Sequence, residues 1–581
     1  MAKTRAKRAA DTTEPAAAAA EPAKRRQSKR AKKAEPEPEP EVAPEPEPEP
    51  VPAPVAEPVP VLPSEPEPVP IPAKEAVTEP THVEPEPRPD IPIDDEHEEE
   101  DHIDEPTEEP RASDLYLDTI NRAVLDFDFE KVCSVSTLNF NIYGCLVCGK
   151  YFQGRGRKSH AYAHSIHDDH HVFINLETTK VYVLPDGYPV SDPSLDDISY
   201  VLSPSFTRTQ ISTLSHPSHL QKPSFDLSSK PYLSGYIGLN NIKHNDHMNV
   251  IIHSLLHIPP LRDYLLLSHF DARGKETELV RRFAGLAKKV WNPRLFKSQV
   301  SPHEFLQEVN RASAGKFRLE VQGDPVEFLG WLLNRLHKDM GGTKKKNSSI
   351  VFSTFQGELK LETQQVLIRA DAGENERPMF DIDRDIKPTV SPFLFLAVDL
   401  PPPPLFQDSI EKNIVPQVNI SSVLSKYDGV TTQESAGQLR RYKCQRLPPY
   451  IILHFKRFTK NAFVEEKNPT IVNFPLRGLD FREFLDAPST HPQTVYDLIA
   501  NVTHESVAGT TRDKEHTVWK THLRAAGGGG EGEKWFRIQD LIVEEARKEM
   551  IFLGETVLQI WERRTEGTNS KNESAMDVDG R

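Results

Sequence analysis

The chain has 581 residues, 37% of them hydrophobic, with 51 prolines and a formal net charge of −16. That length is too great for one ordinary domain, so two folded units plus tails are expected. No stretch approaches the roughly 18 continuous apolar residues that span a bilayer, so no membrane insertion is expected. Three of the four cysteines, Cys133, Cys145 and Cys148, are clustered, with Cys444 far downstream and no secretory leader ahead of them. A disulfide framework is therefore not expected, and a reducing compartment fits.

Residues 1–112 read as a disordered tail. Between Glu35 and Glu109 a Glu-Pro alternation carries most of the acidic excess; such a tract buries no apolar area and repels itself into extended forms. Ahead of it, Lys3 to Arg8 and Lys24-Arg-Arg-Gln-Ser-Lys-Arg-Ala-Lys-Lys33 form two basic clusters, suited to nuclear import, to contact with RNA phosphate, or to no more than solvation. Order begins near Leu115, where Leu115, Leu117, Ile120, Val124, Leu125 and Phe127 return apolar side chains to the chain.

Cys145-x2-Cys148 is followed by His160, His164, His167, His170 and His171. A cysteine pair on a tight turn with later imidazoles supplies the donors that tetrahedral zinc prefers. The stretch Cys133 to Asn175 resembles the ubiquitin-binding zinc finger of deubiquitinating enzymes, and this resemblance implies a ligand set of Cys145, Cys148, His164 and His170, with His171 the rival for the last place. It also implies a second, eroded site. Cys133 and His160 match two of its ligands, Ser136 and Gln153 stand at cysteine positions, and Asp114 is an alternative oxygen donor or a solvated acid. His160 reads equally as a core histidine. Binding members of this finger family take a free Gly-Gly carboxylate in an aromatic and arginine pocket. Arg155, Arg157, Tyr151 and Phe152 have the right chemistry but not the matching positions, so packing is the expected role of Tyr151 and Phe152, and ubiquitin binding by the finger is not expected.

The finger is expected over residues 113–205. The Ser-, Pro- and Thr-rich stretch 206–230 reads as a linker. From 231 to 565 a second domain is expected, helical first and rich in β-branched and aromatic strands later, giving an α+β class; residues 566–581 form a second tail. Several segments resemble, in order, the boxes of the ubiquitin-specific protease family: Gly238-Leu-Asn-Asn-Ile-Lys-His-Asn-Asp-His-Met-Asn249, Gln322-Gly-Asp-Pro-Val-Glu-Phe328, Phe355-Gln-Gly-Glu-Leu359, Leu447-Pro-Pro-Tyr-Ile-Ile-Leu-His-Phe-Lys-Arg-Phe458, Tyr496-Asp-Leu-Ile-Ala-Asn-Val-Thr-His504 and Trp535-Phe-Arg-Ile-Gln-Asp540. The resemblance implies a papain-like fold with a helical thumb and an antiparallel fingers and palm sheet.

It also marks where chemistry has been lost. Asp246 stands at the place of the nucleophilic cysteine, Gln539 at that of the acid that orients the histidine, and His516, in Glu515-His516-Thr517, at that of the base. Asn241 matches the oxyanion-stabilising asparagine. A carboxylate is a poor nucleophile towards an amide, and its charge opposes a developing oxyanion. Cys444, in Tyr442-Lys-Cys-Gln-Arg446, matches the first ligand of a zinc ribbon whose other cysteines are absent, so it reads as a buried, inert thiol. The combination resembles the inactive, splicing-associated branch of the family. That branch implies a nuclear, zinc-containing spliceosome component that works with snRNP proteins on assembly or stability of the U4/U6.U5 tri-snRNP. A ubiquitin-binding adaptor and, more remotely, an active deubiquitinase are the alternatives.

Overall fold

The computed structural model describes residues 115–216, 219, 222–268, 277–368, 380–382, 386–402, 415–435, 437–460, 465–488, 493–507, 516–525 and 533–564. The basic clusters, the Glu-Pro tract, Asp114 and the tail after residue 564 lie outside the described residues.

The finger is built on a five-stranded sheet. Its strands are β1 (Ile142–Cys145), β2 (Tyr151–Gln153), β3 (Val172–Asn175), β4 (Val181–Val183) and β5 (Tyr188–Val190), in the order β2-β1-β3-β4-β5, and α1 (His160–His167) joins β2 to β3. Both faces of this small sheet are covered. Ile142, Val172, Ile174 and Val183 pack on one side, with α2 (Asp196–Leu202) supplying Ile198 and Leu202, while Tyr143, Cys145, Phe152 and Phe173 pack on the other. The segment before β1 straps the finger to the larger domain. Lys289 Nζ donates to Asp128 Oδ1 (2.8 Å), Lys297 Nζ to Asp126 Oδ2 (2.7 Å), and the Ser301 N–H to Asp128 Oδ2 (2.9 Å), while Phe296 enters the finger's core.

Residues 206–230 are not merely a linker. They contain α3 (Arg208–Leu214), opened by a capping box between Thr207 and Gln210, whose Ile211 and Leu214 are buried in the core of the second domain. Local physics explains the difference: Thr-x-x-Gln satisfies the first helical N–H groups, and two apolar residues three apart suffice for one buried stripe despite the polar composition.

The second domain begins with helices. In α4 (Asp246–Leu256) every residue is buried; α5 (Pro259–Leu267) and α8 (Pro325–Asp339) pack against it, and α6 (Glu278–Val290) packs on α5, α8 and α7 (His303–Ala312). α6 turns Leu279, Val280, Phe283, Ala284, Leu286, Ala287 and Val290 inward at helical spacing. Asp324 accepts the Val326 N–H and Pro325 opens the first turn, which together start α8.

The second half is sheet. β6 (Gly357–Ile368) pairs antiparallel with β7 (Lys387–Phe393) and β9 (Gln438–Arg446). A larger sheet runs β8 (Leu396–Asp399), β10 (Tyr450–Lys456), β15 (Thr556–Arg563), β11 (Val495–Val507), β12 (His516–Arg524), β13 (Trp535–Gln539) and β14 (Ile542–Ala546). The expected antiparallel pattern holds through most of it, but the edge strand β8 runs parallel to β10, Leu396 opposite Leu453. Among the described residues no helix is long and apolar enough to cross a membrane.

Five buried histidines make the fold sensitive to acid. Burial holds His253 down at about 3 and His247, His257, His504 and His522 at about 4, against an ordinary value near 6.5. The unfolded chain binds these protons below pH ~6.5 and the folded chain does not, so stability is full above that pH and falls as pH drops towards 4, by about 1.4 kcal/mol per pH unit for each proton taken up. Buried Asp246 and half-buried Asp540, with raised pKa values, act in the opposite sense but are outnumbered. Urea unfolding at pH 7.5 and pH 5.5 is expected to show a clearly lower midpoint at pH 5.5; equal midpoints would contradict the assignment of these rings as neutral.

Candidate metal centre and cleft

Cys145 ends β1, and the chain reverses through Val147, Cys148 and Gly149 so that the Gly149 N–H donates to Cys145 O (2.9 Å). Gly149 has φ +76°, and a Cβ there would fall 2.5 Å from Val124 O, so the turn that presents both thiols needs glycine. His164 projects from the buried face of α1, stacked on Phe152 with ring centroids 4.2 Å apart. Its Nδ1 lies 2.5 Å from Asp168 Oδ2, which turns Nε2 towards Cys148 Sγ at 3.4 Å and His170 Nδ1 at 3.0 Å. The potential ligand atoms of Cys145, Cys148, His164 and His170 all lie within 4.8 Å of one another. The Cys145 thiol donates to Cys148 and draws its pKa down, while the same bond and burial push Cys145 up. Two sulfurs and two imidazoles at this spacing suit tetrahedral zinc, and Asp168 on the far nitrogen of His164 would fix its tautomer.

His171 is turned away from the group. Its Nδ1 donates to Leu184 O (2.7 Å), its Nε2 faces Asp169 Oδ1 (2.8 Å), and its ring packs on Tyr116. Cys133 and His160 are not gathered into a grouping of three or more potential ligands among the described residues. Hydrogen bonds occupy that corner instead: the Ser136 N–H reaches Cys133 Sγ (3.4 Å), and Ser136 Oγ donates to Gln153 Oε1 (3.3 Å). Tyr151 and Phe152 are buried packing residues, and Arg155 lies over the Tyr182 ring (4.5 Å) while donating to Gly187 O (3.3 Å).

The second candidate site lies at the amino terminus of α4. Asp246 is 4% exposed. Its Oδ2 accepts from Gln322 Nε2 (2.6 Å) and from the Trp519 N–H (3.2 Å), and Oδ1 is buried without a hydrogen-bond partner. Burial pushes the carboxyl above its usual range; the Gln322 bond opposes that rise and nearby Asp540 adds to it. His247 gives no compensating charge, because burial holds it at about 4 and its Nδ1 donates to His244 O (3.1 Å).

Asn241 is exposed, but its side-chain amide is engaged on both ends. Its Nδ2 donates to Asp540 Oδ2 (3.1 Å) and its Oδ1 accepts the Asn245 N–H (3.1 Å), while Asn249 Nδ2 donates to Asp540 Oδ1 (3.2 Å). Gln539 ends β13 and pairs across the turn with Ile542; the side chain that reaches the α4 loop is that of its neighbour, Asp540. Asp540 sits at φ +48°, and its turn rests on Gly238, where a Cβ would meet Leu541 Cα at 2.7 Å. His516 opens β12, with its side chain outside the described residues; the next residues of that strand, Thr517 and Trp519, bond to Gln322 and Asp246. Asp540 and Gln322 are the participants that spacing alone did not single out, although both lie inside quoted boxes.

None of the four cysteines stands in this cleft. Three belong to the finger, and Cys444 is buried in β9 opposite Leu359, its thiol pushed by burial up to about 12.

Residues 237–575 match the family model described as ubiquitin carboxyl-terminal hydrolase. The chain belongs to this family. Residues 133–195 match the zinc finger found in ubiquitin hydrolases and other proteins, so the hydrolase-family domain follows a zinc-binding module. The chain is 49% identical over 459 residues to a probable mRNA-splicing protein, ubp10, of Schizosaccharomyces pombe, covering 78% of this chain and 89% of that protein. It is 46% identical to human ubiquitin carboxyl-terminal hydrolase 39, covering 77% and 80%. The crystal structure of an essential yeast splicing factor superposes with a TM-score of 0.61 at 31% identity, covering 78% of this chain and all of that one.

Substituting Cys145→Ser or Cys148→Ser is expected to remove about one zinc per chain and unfold the finger, since metal binding and folding are coupled in such modules. Asp168→Ala should weaken zinc affinity by roughly 10–100-fold, and Cys133→Ser should leave zinc content unchanged. Elemental analysis of the purified variants checks all three; full zinc in Cys145→Ser would contradict the assignment.

Proposed function

We propose that this chain is a non-catalytic pre-mRNA-splicing factor that acts in the nucleus as a protein-binding scaffold in assembly or stabilisation of the U4/U6.U5 tri-snRNP. Cleavage of an isopeptide by this family's chemistry needs a thiolate, a base and a group that orients the base. The observation that carries the loss of catalysis is the buried carboxylate of Asp246 at the nucleophile's place, with its Oδ2 already taken by Gln322 and Trp519. Gln539 in place of the orienting acid supports the same reading. The splicing role is supported by relatives named for it, the fission-yeast protein at 49% identity and the Saccharomyces cerevisiae pre-mRNA-splicing factor SAD1 at 32%, the latter covering 77% of this chain and 93% of that one.

On this reading the fold binds snRNP proteins, while the basic clusters Lys3 to Arg8 and Lys24 to Lys33 supply any contact with snRNA phosphate. Arg155, held over Tyr182, is not offered as a carboxylate clamp, which argues against capture of a ubiquitin tail by the finger.

Affinity purification of the full chain from nuclear extract is expected to recover U4, U5 and U6 RNAs with their proteins; recovery of none of them would overturn the splicing role. Asp246→Cys is expected to leave hydrolysis of a ubiquitin-amide reporter at background, because Gln539 remains and effects within a triad are far from additive. Measurable turnover by that variant would refute the claim. Saturable binding of free ubiquitin without turnover would point instead to an adaptor.

A further inference from the structure

The strand β12 is not bonded along its whole length on the side that faces β13. Pairing with β13 begins at Thr521, opposite Ile538, and continues to Arg524. Ahead of Thr521 the same edge carries the Thr517 C=O and the Trp519 N–H, alternate residues whose groups point the same way along a strand. Such an open edge is where another strand would add.

Two side chains occupy it. The Trp519 N–H donates to Asp246 Oδ2 (3.2 Å), and the Thr517 C=O accepts from Gln322 Nε2 (3.2 Å). Gln322 Nε2 also donates to Asp246 Oδ2 (2.6 Å), and Thr517 Oγ1 donates to Gln322 Oε1 (2.8 Å), so each group braces the other. Further along, Ser254 Oγ lies 3.3 Å from Thr521 Oγ1, so α4 is fastened to β12 at two heights.

We propose that Asp246 and Gln322 together act as a surrogate strand: they cap the open edge of β12, latch the helical half to the sheet, and close that edge to any extended peptide. A polypeptide adding there must first displace both side chains. The residue type follows from reach. A carboxylate places an acceptor oxygen one bond beyond Cγ, where it meets two donors; a cysteine sulfur stops a bond short. The carboxylate keeps this role in either protonation state, because Oδ1, the oxygen without a partner, can carry the proton while Oδ2 accepts. The inference concerns the same cleft as the proposed loss of catalysis but stands whether or not the chain acts in splicing.

Hydrogen exchange of the full chain, read by mass spectrometry on the peptide spanning β12, tests it. Asp246→Ala is expected to speed exchange of one amide, that of Trp519, by about tenfold, as befits loss of one hydrogen bond. The peptide spanning β15 should be unchanged, showing that the sheet is intact. Asp246→Asn, whose amide oxygen can accept both bonds, should retain the protection. Gln322→Ala gives a second reading if Asp246→Ala does not fold; it should speed the same amide to a lesser degree. Unchanged Trp519 exchange in Asp246→Ala, or in Gln322→Ala where the first variant cannot be read, would overturn the proposal.

Discussion

A carboxylate at the first turn of a helix buried along its entire length has few ways to be tolerated. Asp246 meets the constraint by accepting from Gln322 and from the backbone of Trp519, at the helix end whose partial charge favours an anion. Around it the Gln322 loop sits against β12, the Asn245 and Asn249 amides donate to Asn240 O, and the β13–β14 turn brings Asp540 to Asn241. A protease cleft needs an accessible nucleophile; at the first turn of α4 stands a buried carboxylate hydrogen-bonded to Gln322 and to the Trp519 backbone.

The finger solves a different problem in a small space. Its sheet is short and one face buries only Tyr143, Cys145, Phe152, Phe173 and a few neighbours, so a metal held by the four residues clustered between β1, α1 and β3 would fasten what packing alone holds weakly there. Beside them, at Cys133, Ser136 and Gln153 are bridged by a hydrogen bond. The strap through Asp126 and Asp128 joins the finger to α6 and the segment after it, through one part-buried and one exposed ion pair.

Much of this was readable in the residues because the informative boxes combine a local stop signal with a periodic apolar run. Asp324 and Pro325 announce α8 before Val326, Phe328, Leu329 and Leu332 define its buried face. Cys145-x2-Cys148 with the downstream histidines announced a metal site, but the choice between His170 and His171 depends on which ring is engaged elsewhere, and the carbonyl that holds His171 belongs to Leu184, thirteen residues away. α3 escaped because two apolar residues in a Ser- and Thr-rich stretch look like a connector until they find a core. Asp540 escaped because its role rests on a left-handed turn and on the bare backbone of Gly238, some three hundred residues earlier. The parallel edge of β8 depends likewise on long-range pairing that no local pattern encodes.

The central claim is that no side chain of this protein forms a covalent bond with the carboxyl end of ubiquitin. Incubating the purified full-length chain with ubiquitin carrying a carboxyl-terminal electrophile, and measuring intact mass, tests this directly. The expected spectrum shows the unmodified chain alone at all times; a mass increase of one ubiquitin, mapped to any residue of the cleft, would contradict it.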